Sequence, residues 1–357
     1  MTSLRNRLRR TPLTPPSAPP LLTRHLSLIE DGLREAVGDR ESKLFGMLRY
    51  HLGWVDPDGK AAKYDRGKAF RPALCVFTAT ALGGRPEAAL PAAVALELIH
   101  NYSLIHDDIQ DGDRERRKRA TVWAIWGEAE ALTAGDAMKA VSDLCTHSLR
   151  DAGVRLGNAM QIERILTERC LEMIEGQVMD VTFERRLNVN VDEYLIMISR
   201  KTGALISSAM EMGALAANPN AAAVEHLAQC GRYLGLTFQL RDDVLGVWGD
   251  SNKLGKPIGA DIRRRKKAFP TLYALEHATG AAADILQRLY SSTEEMNDED
   301  VDHVLSVMDA VGAREAAQEL AEEQCEKALL EADQVALESW ARTELEDLAG
   351  FLLRRES

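Results

Sequence analysis

Asp107 and Asp111 stand four residues apart, with Asp108 beside the first, in the run Asp107-Asp108-Ile109-Gln110-Asp111. The residues ahead of them include Leu96, Ile99, Ser103 and Leu104 at helical spacing, with no Gly or Pro between, which predicts a helix. On a helix, positions i and i+4 share a face. The carboxylates of Asp107 and Asp111 then lie one turn apart, with Asp108 about 100° round the axis. Like charges at that spacing repel unless a cation lies between them. Only oxygen ligands are on offer, which suits a hard ion such as Mg²⁺, commonly held by one or two carboxylates and the phosphates of a substrate. Arg114, Arg116, Arg117, Lys118 and Arg119 follow at once, and arginine forks match phosphate oxygens. Acid for a metal and then base for phosphate suggests chemistry on a metal-bridged diphosphate.

One such run alone is equally a solvated helix end. A second unit strengthens the functional reading: Gln239-Leu240-Arg241-Asp242-Asp243 also follows an apolar helical run and is also followed by base, at Lys253, Lys256 and Arg263 to Lys267. Two acid-then-base units can clamp one anionic ligand from two sides. The second unit departs from the first at its fifth position, which is Gly246 instead of an acid.

In combination these stretches resemble the trans-isoprenyl diphosphate synthases of the polyprenyl synthetase family. Gly67-Lys68-Ala69-Phe70-Arg71-Pro72 is similar to that family's G-K-x-x-R-P, the Asp107 run and Arg116-Arg117 to its first aspartate-rich motif, Lys201-Thr202 to its K-T, and Phe238 to Asp243 to its second aspartate-rich motif. The motifs occur in family order, from about residue 25 to the C terminus. The resemblance implies Mg²⁺, three ions per active site, held by Asp107, Asp108, Asp111, Asp242 and Asp243. It implies that Lys68, Arg71, His100 and Arg117 bind isopentenyl diphosphate, and that Arg116, Lys201, Lys256 and Lys266 bind the allylic diphosphate. Thr202 and Gln239 would face the developing allylic cation. Lys118 stands where the family pattern has Gly, and Arg265-Lys266-Lys267-Ala268 replaces G-K-x-T, so both loops depart from the pattern. Gln177 and Asp180 share a helix face, either behind the metal site or as a surface polar pair. A terpene cyclase-like enzyme on the same scaffold is the alternative activity. It needs no second diphosphate site, which Lys68, Arg71 and Arg117 argue against. A non-catalytic partner subunit is the other alternative, and the retained aspartates argue against it.

Tyr102 and Ser103 precede Asp107 by five and four residues, about 7 Å along a helix. An aromatic at that position with no insertion in the first motif resembles synthases of geranylgeranyl diphosphate (C20), with Tyr102 as the floor of the chain cavity. Farnesyl or longer products are the alternatives, and Tyr102 is otherwise an ordinary core aromatic.

The elements that must position these groups are helical. Segments near 24–38, 41–54, 69–83, 87–111, 121–149, 157–186, 192–217, 221–248, 267–279, 281–291, 298–310, 312–335 and 338–354 carry apolar residues at three- and four-residue spacing. Alternating strands are lacking, and no linker divides the chain. The expectation is one all-α domain over 23–357, which the resemblance implies is a bundle of long helices around a central cavity, the isoprenoid synthase fold. Residues 1–22, with Arg5, Arg7, Arg9 and Arg10 ahead of five prolines, predict a disordered tail; the prolines spoil the amphipathic helix of a transit peptide. The net charge of −11 argues against a nucleic-acid binder. No run of 18 apolar residues occurs, which argues against a membrane span. Five scattered cysteines suit reduced thiols in the cytoplasm. The resemblance further implies a homodimer.

Overall fold

The computed structural model describes residues 18–64, 67, 69–184, 186, 188–249 and 259–355. The helices that build the site are α1 (Phe70–Ala81), α2 (Pro86–Gln110), α3 (Glu128–Thr146), α4 (Leu156–Glu184), α5 (Ala204–Ala217) and α6 (Ala221–Trp248). Behind them lie α7 (Ala313–Ala332) and α8 (Ser339–Arg354).

The centre of the bundle is α5, whose residues from Ala204 to Met210 and from Met212 to Leu215 are buried. A helix apolar all round must be enclosed, and α5 is packed against α1, α2, α4 and α6. The outer helices are amphipathic and begin at polar caps. Asn220 accepts from the Ala223 amide at 2.8 Å ahead of α6, and Asn190 forms a capping box with Glu193 ahead of Val191–Ile198. Pro86 opens α2 at a position where its missing amide hydrogen costs nothing. By length and composition α2 resembles a membrane span, but most of it is buried among its neighbours, and it is a core helix of this bundle. A smaller core of Val247, Ile262, Leu286, Val301 and Val304 lies under the C-terminal end of α6. All five cysteines are free.

The all-α expectation holds, with local differences. The segment expected over 121–149 is broken at Gly127, whose φ of 98° separates Val122–Trp126 from α3. The segment over 192–217 is interrupted by a π-helical turn, Ser199–Gly203. The basic run after Asp111 is a two-stranded hairpin, β1 (Glu115–Arg116) against β2 (Arg119–Ala120). Residues 1–17 of the expected tail lie outside the described residues. Pro20–Thr23, inside that expected tail, is a helical turn with Leu21 and Leu22 buried against α1 and α8.

Candidate active site

The last turn of α2 delivers Asp107 and, at its cap, Asp111. Neither carboxylate has a hydrogen-bond or ion-pair partner among the described residues. Burial, opposed by Lys201 and reinforced by Asp111, pushes Asp107 up to about 6. Asp111 is raised too, first by burial. Asp107 lines a cavity of about 290 Å³ together with Arg71, His100, Thr202, Gln239 and Asp242. Asp111 lines an adjoining polar cavity of about 600 Å³ with Asp180, Arg116, Arg117 and Lys266. Gln110 and Lys201 border both.

Asp108 and Asp243, for which the resemblance implied ligand roles, line neither cavity. Asp108 is buried and receives a 2.7 Å hydrogen bond from Arg116 Nε. Asp243 is buried beneath α6, where it accepts from the Tyr194 hydroxyl, from Gln239 Nε2 at 3.1 Å and from the Phe269 amide at 3.1 Å. The reason is helical bearing: a residue next to a cavity-facing one points about 100° away, here into the packed side of its helix. Each of these carboxylates orients a neighbour: Asp108 fixes Arg116, and Asp243 fixes Gln239.

Lys201 and Thr202 sit in the π-helical turn. A π turn widens the helix locally and is frequent at functional sites. Two close approaches hold it in place. A Cβ on Gly176 of α4 would lie 2.3 Å from the Lys201 amide nitrogen, and one on Gly235 of α6 would lie 2.7 Å from Gly203 Cα. Glycine at both crossings lets α4 and α6 close on the turn. Asp180 of α4 then meets Lys201 Nζ at 2.5 Å. Thr202 Oγ1 donates to Gln239 Oε1 at 2.8 Å, so the series Tyr194, Asp243, Gln239, Thr202 fixes the hydroxyl that lines the cavity. Gln177 donates to Gln110 Oε1 at 2.7 Å. Of the two readings of Gln177 and Asp180, the structure shows the one facing the site.

The cations form a rim. Arg71 is half-buried, and its buried Nε has no partner among the described residues, a donor that an anion would satisfy. His100 beside it is held neutral, its pKa well below the usual value through burial and then Arg71, Arg117 and Arg116. Arg117 and Lys118 form the tip of the hairpin, with φ of 51° and 62°. That left-handed conformation favours glycine, which explains why Lys118 is a departure in residue type without being one in backbone shape. Lys266 lines the polar cavity, and its ammonium stays charged among Asp261, Asp243, Asp180 and Asp242 despite burial. Lys68 and Lys256 lie outside the described residues. Tyr102 and Ser103 line the first cavity with the apolar Met173, Ile174 and Leu205. Tyr102 stands edge-on to His106 with ring centres 4.8 Å apart.

His51 and Arg355 were not found from the sequence, and Arg264 was found only as part of the basic run Arg263 to Lys267. His51 is forced down to about 3 by burial and then by Arg116, Arg117 and Arg119. Arg264 reaches across to Asp113. Arg355 lies over the Phe238 ring at 3.9 Å, donates to Phe238 O at 2.9 Å and meets Asp242 Oδ1 at 2.5 Å. Neither His51 nor Arg355 has a spacing signal, because each is brought to the site by a separate element of the fold.

Residues 60–308 match a family model described as polyprenyl synthetase. The chain is 37% identical over 341 residues to a (2E,6E)-farnesyl diphosphate synthase of Mycobacterium bovis, covering 95% of this chain and 93% of that one. It is 38% identical over 297 residues to a geranylgeranyl diphosphate synthase of Mycobacterium tuberculosis, covering 83% of each. A crystal structure of a polyprenyl synthetase from Streptomyces coelicolor A3(2) superimposes with a TM-score of 0.86 at 36% identity, over 93% of this chain and 98% of that one.

Proposed function

The chain belongs to the polyprenyl synthetase family, and from that premise we propose that it joins isopentenyl diphosphate head to tail to an allylic diphosphate, with geranylgeranyl diphosphate as its product. It is a prenyltransferase of the short-chain trans type; the product length and the residue roles are our reading. The observation that carries it is the pair Asp107 and Asp111, which have no ion-pair partner among the described residues and line two adjoining cavities, Asp111 the polar one rimmed by arginine and lysine and Asp107 the one lined by Tyr102 and the apolar Met173, Ile174 and Leu205.

The carboxylates suit a hard divalent cation. Asp107, Asp111 and Asp242 reach the cavities, the first two have no hydrogen-bond or ion-pair partner among the described residues, and no group of three His, Cys, Asp or Glu among the described residues makes a complete ligand set. Mg²⁺ takes such incomplete sets and completes them with phosphate and water, and when bound it would neutralise the departing diphosphate. Arg116, held by Asp108, and Lys201, held by Asp180, add positive charge on the same side and make the diphosphate a better leaving group. Arg71, with its unmet Nε, and Arg117 at the hairpin tip grip isopentenyl diphosphate so that its double bond faces the allylic carbon. Thr202, fixed through Gln239, turns its oxygen toward the allylic cation. The apolar Met173 and Leu205, which line the same cavity, would keep water from that cation. The allylic carbon–oxygen bond breaks to leave that cation, the isopentenyl double bond attacks it to form the new carbon–carbon bond, and the proton then lost passes to the released diphosphate.

Tyr102 supports the C20 reading because a bulky ring one turn and a half above Asp107 closes the apolar end. Leu171, Ile174 and Val178 share an exposed face of α4, which supports pairing of two copies. The test is incubation of purified protein with Mg²⁺, isopentenyl diphosphate and C5, C10 or C15 allylic diphosphates, with products dephosphorylated and sized by mass spectrometry. A discrete C20 alcohol is the expected product. Another single length overturns the C20 reading alone, whereas unconsumed isopentenyl diphosphate overturns the synthase reading, and a cyclic hydrocarbon points to the cyclase. Light scattering on the same sample should give twice the chain mass.

A further inference from the structure

The π turn Ser199–Gly203 is gripped from two sides at regular helical spacing. On α4, Glu172, Gly176 and Asp180 recur every four residues and share a face. On α6, Arg232, Gly235 and Gln239 recur at three and four residues and do the same. Two levels of each set act on the turn directly: the glycines admit it, and Asp180 and Gln239 hold Lys201 and Thr202. The remaining level is Arg232 with Glu172, which line neither cavity.

Arg232 lies along the whole turn. A Cβ built on Gly203, the last residue of the turn, would lie 3.7 Å from Arg232 Cγ. At the first residue, Arg232 Nη1 donates to Ser199 O at 3.1 Å, with Ser199 Oγ 3.3 Å away. Both oxygens of Glu172 hold the same guanidinium, Oε1 accepting from Nη1 at 2.6 Å and Oε2 from Nη2 at 3.2 Å, a fork that an ammonium cannot offer. Arg169 fixes Glu172 in turn, donating to its Oε2 at 2.9 Å and to Glu211 of α5 at 3.2 Å. All four side chains are half-buried, where charge-assisted hydrogen bonds are strong. A π turn takes one residue more than an α-helical path between the same ends. If it relaxed to α geometry, the chain on one side would swing by about 100° relative to the other, and Lys201 and Thr202 could not both face the cavity.

We propose that Arg232, braced by Glu172, is the positioning residue that keeps this turn in its π form and so presents Lys201 and Thr202 to the cavity together. The kinetic consequence rests on the prenyl-transfer reading; the structural one does not.

The test compares the parent chain with Arg232→Ala, Arg232→Lys, Glu172→Ala and the double alanine variant. Thermal unfolding, amide hydrogen exchange over Ser199–Gly203, and steady-state kinetics with isopentenyl diphosphate and a C10 allylic diphosphate are measured for each. In Arg232→Ala, exchange over the turn should quicken roughly tenfold, the effect of losing one hydrogen bond from a charged group, with exchange in α1 unchanged. Turnover, kcat, should fall by a similar factor. KM for isopentenyl diphosphate should hold, because Arg71 and Arg117 come from other elements. Arg232→Lys keeps a donor without the fork and should recover part of both losses. Glu172→Ala should show the same pattern, and the double variant should be no worse than Arg232→Ala, since Glu172 acts through the arginine. Unchanged exchange over the turn in Arg232→Ala overturns the proposal. So does a loss spread over α1 as well, with KM for isopentenyl diphosphate rising and no recovery in Arg232→Lys, since the arginine would then only support the fold. If Arg232→Ala does not fold, the same comparison between Arg232→Lys and the parent decides. If the parent chain never consumes isopentenyl diphosphate, the synthase reading fails, and the exchange measurement alone decides the role of Arg232.

Discussion

Arg355 Nη2 lies 2.5 Å from Asp242 Oδ1, so residues from opposite ends of the C-terminal half meet at the cavity wall. Asp242 thereby already has an ion-pair partner, which Asp107 and Asp111 lack among the described residues. Removing that partner in Arg355→Ala leaves Asp242 free for a metal. Mg²⁺ affinity in the absence of substrate should rise a few-fold, as expected for release of a half-exposed ion pair of ~1 kcal/mol. The same change removes the cation–π contact and the bond to Phe238 O, at a cost of about 1–2 kcal/mol in stability. Calorimetric titration and urea unfolding measure the two effects; weaker or unchanged Mg²⁺ binding would show that Arg355 does not compete with the metal.

Asp242 and Asp243 are neighbours of the same residue type with opposite surroundings, and their alanine variants should fail in different ways. Asp243→Ala strands the donors on Tyr194, Gln239 and Phe269 in a buried site, which should cost on the order of 3 kcal/mol. Asp242→Ala should unfold near the parent temperature and lose turnover. Calorimetry with a single-turnover assay separates the cases, and equal stability of the two variants would contradict the assignment.

Burial raises Asp107, Asp108 and Asp243 to about 6 from an ordinary 3.8. A carboxyl raised on folding binds more protons in the folded chain than in the unfolded one between those values, so stability falls as pH rises from about 4 to 6. The cost is absent below that window and complete above it. Mg²⁺ requires the ionised form of Asp107, so its affinity should weaken as pH drops through about 6, and Mg²⁺ should stabilise the fold most above that point. Thermal unfolding from pH 4 to 8, with and without Mg²⁺, checks this; a Mg²⁺ stabilisation independent of pH would refute it.

Tyr102→Ala opens the apolar end of the cavity by removing a ring packed against His106. Products should lengthen beyond C20, while Tyr102→Phe keeps the parent length. Product sizing by mass spectrometry decides it, and an unchanged distribution in the alanine variant would place the floor elsewhere.

Helical period made much of this protein legible in advance. The long helices, and Asp107 and Asp111 on one face, follow from spacing alone, because a helix gives every residue a calculable bearing. The π turn at Lys201 was marked in the sequence only by the likeness of Lys201-Thr202 to the family's K-T. Its shape depends on Gly176 and Gly235 admitting two other helices, which no local pattern records. The hairpin at Arg117 was hidden because Lys118 occupies a conformation that usually signals itself through glycine. That Asp108 and Asp243 are buried was not legible, because residue type and proximity to a motif say nothing about which side of a helix is packed.

The sequence by itself determined the all-helical class, the order of the acid and base units, and the i, i+4 pairing of Asp107 with Asp111, since these depend on residues close along the chain. Only the tertiary structure decided which carboxylates face the cavity and what accompanies them. Asp243 is satisfied by Tyr194 and Phe269, Asp242 is paired by Arg355, and the volume beside Gly246 is filled by Asp261. Each of those partners comes from a different element, and the charge state and freedom of a side chain are set by what the fold packs around it.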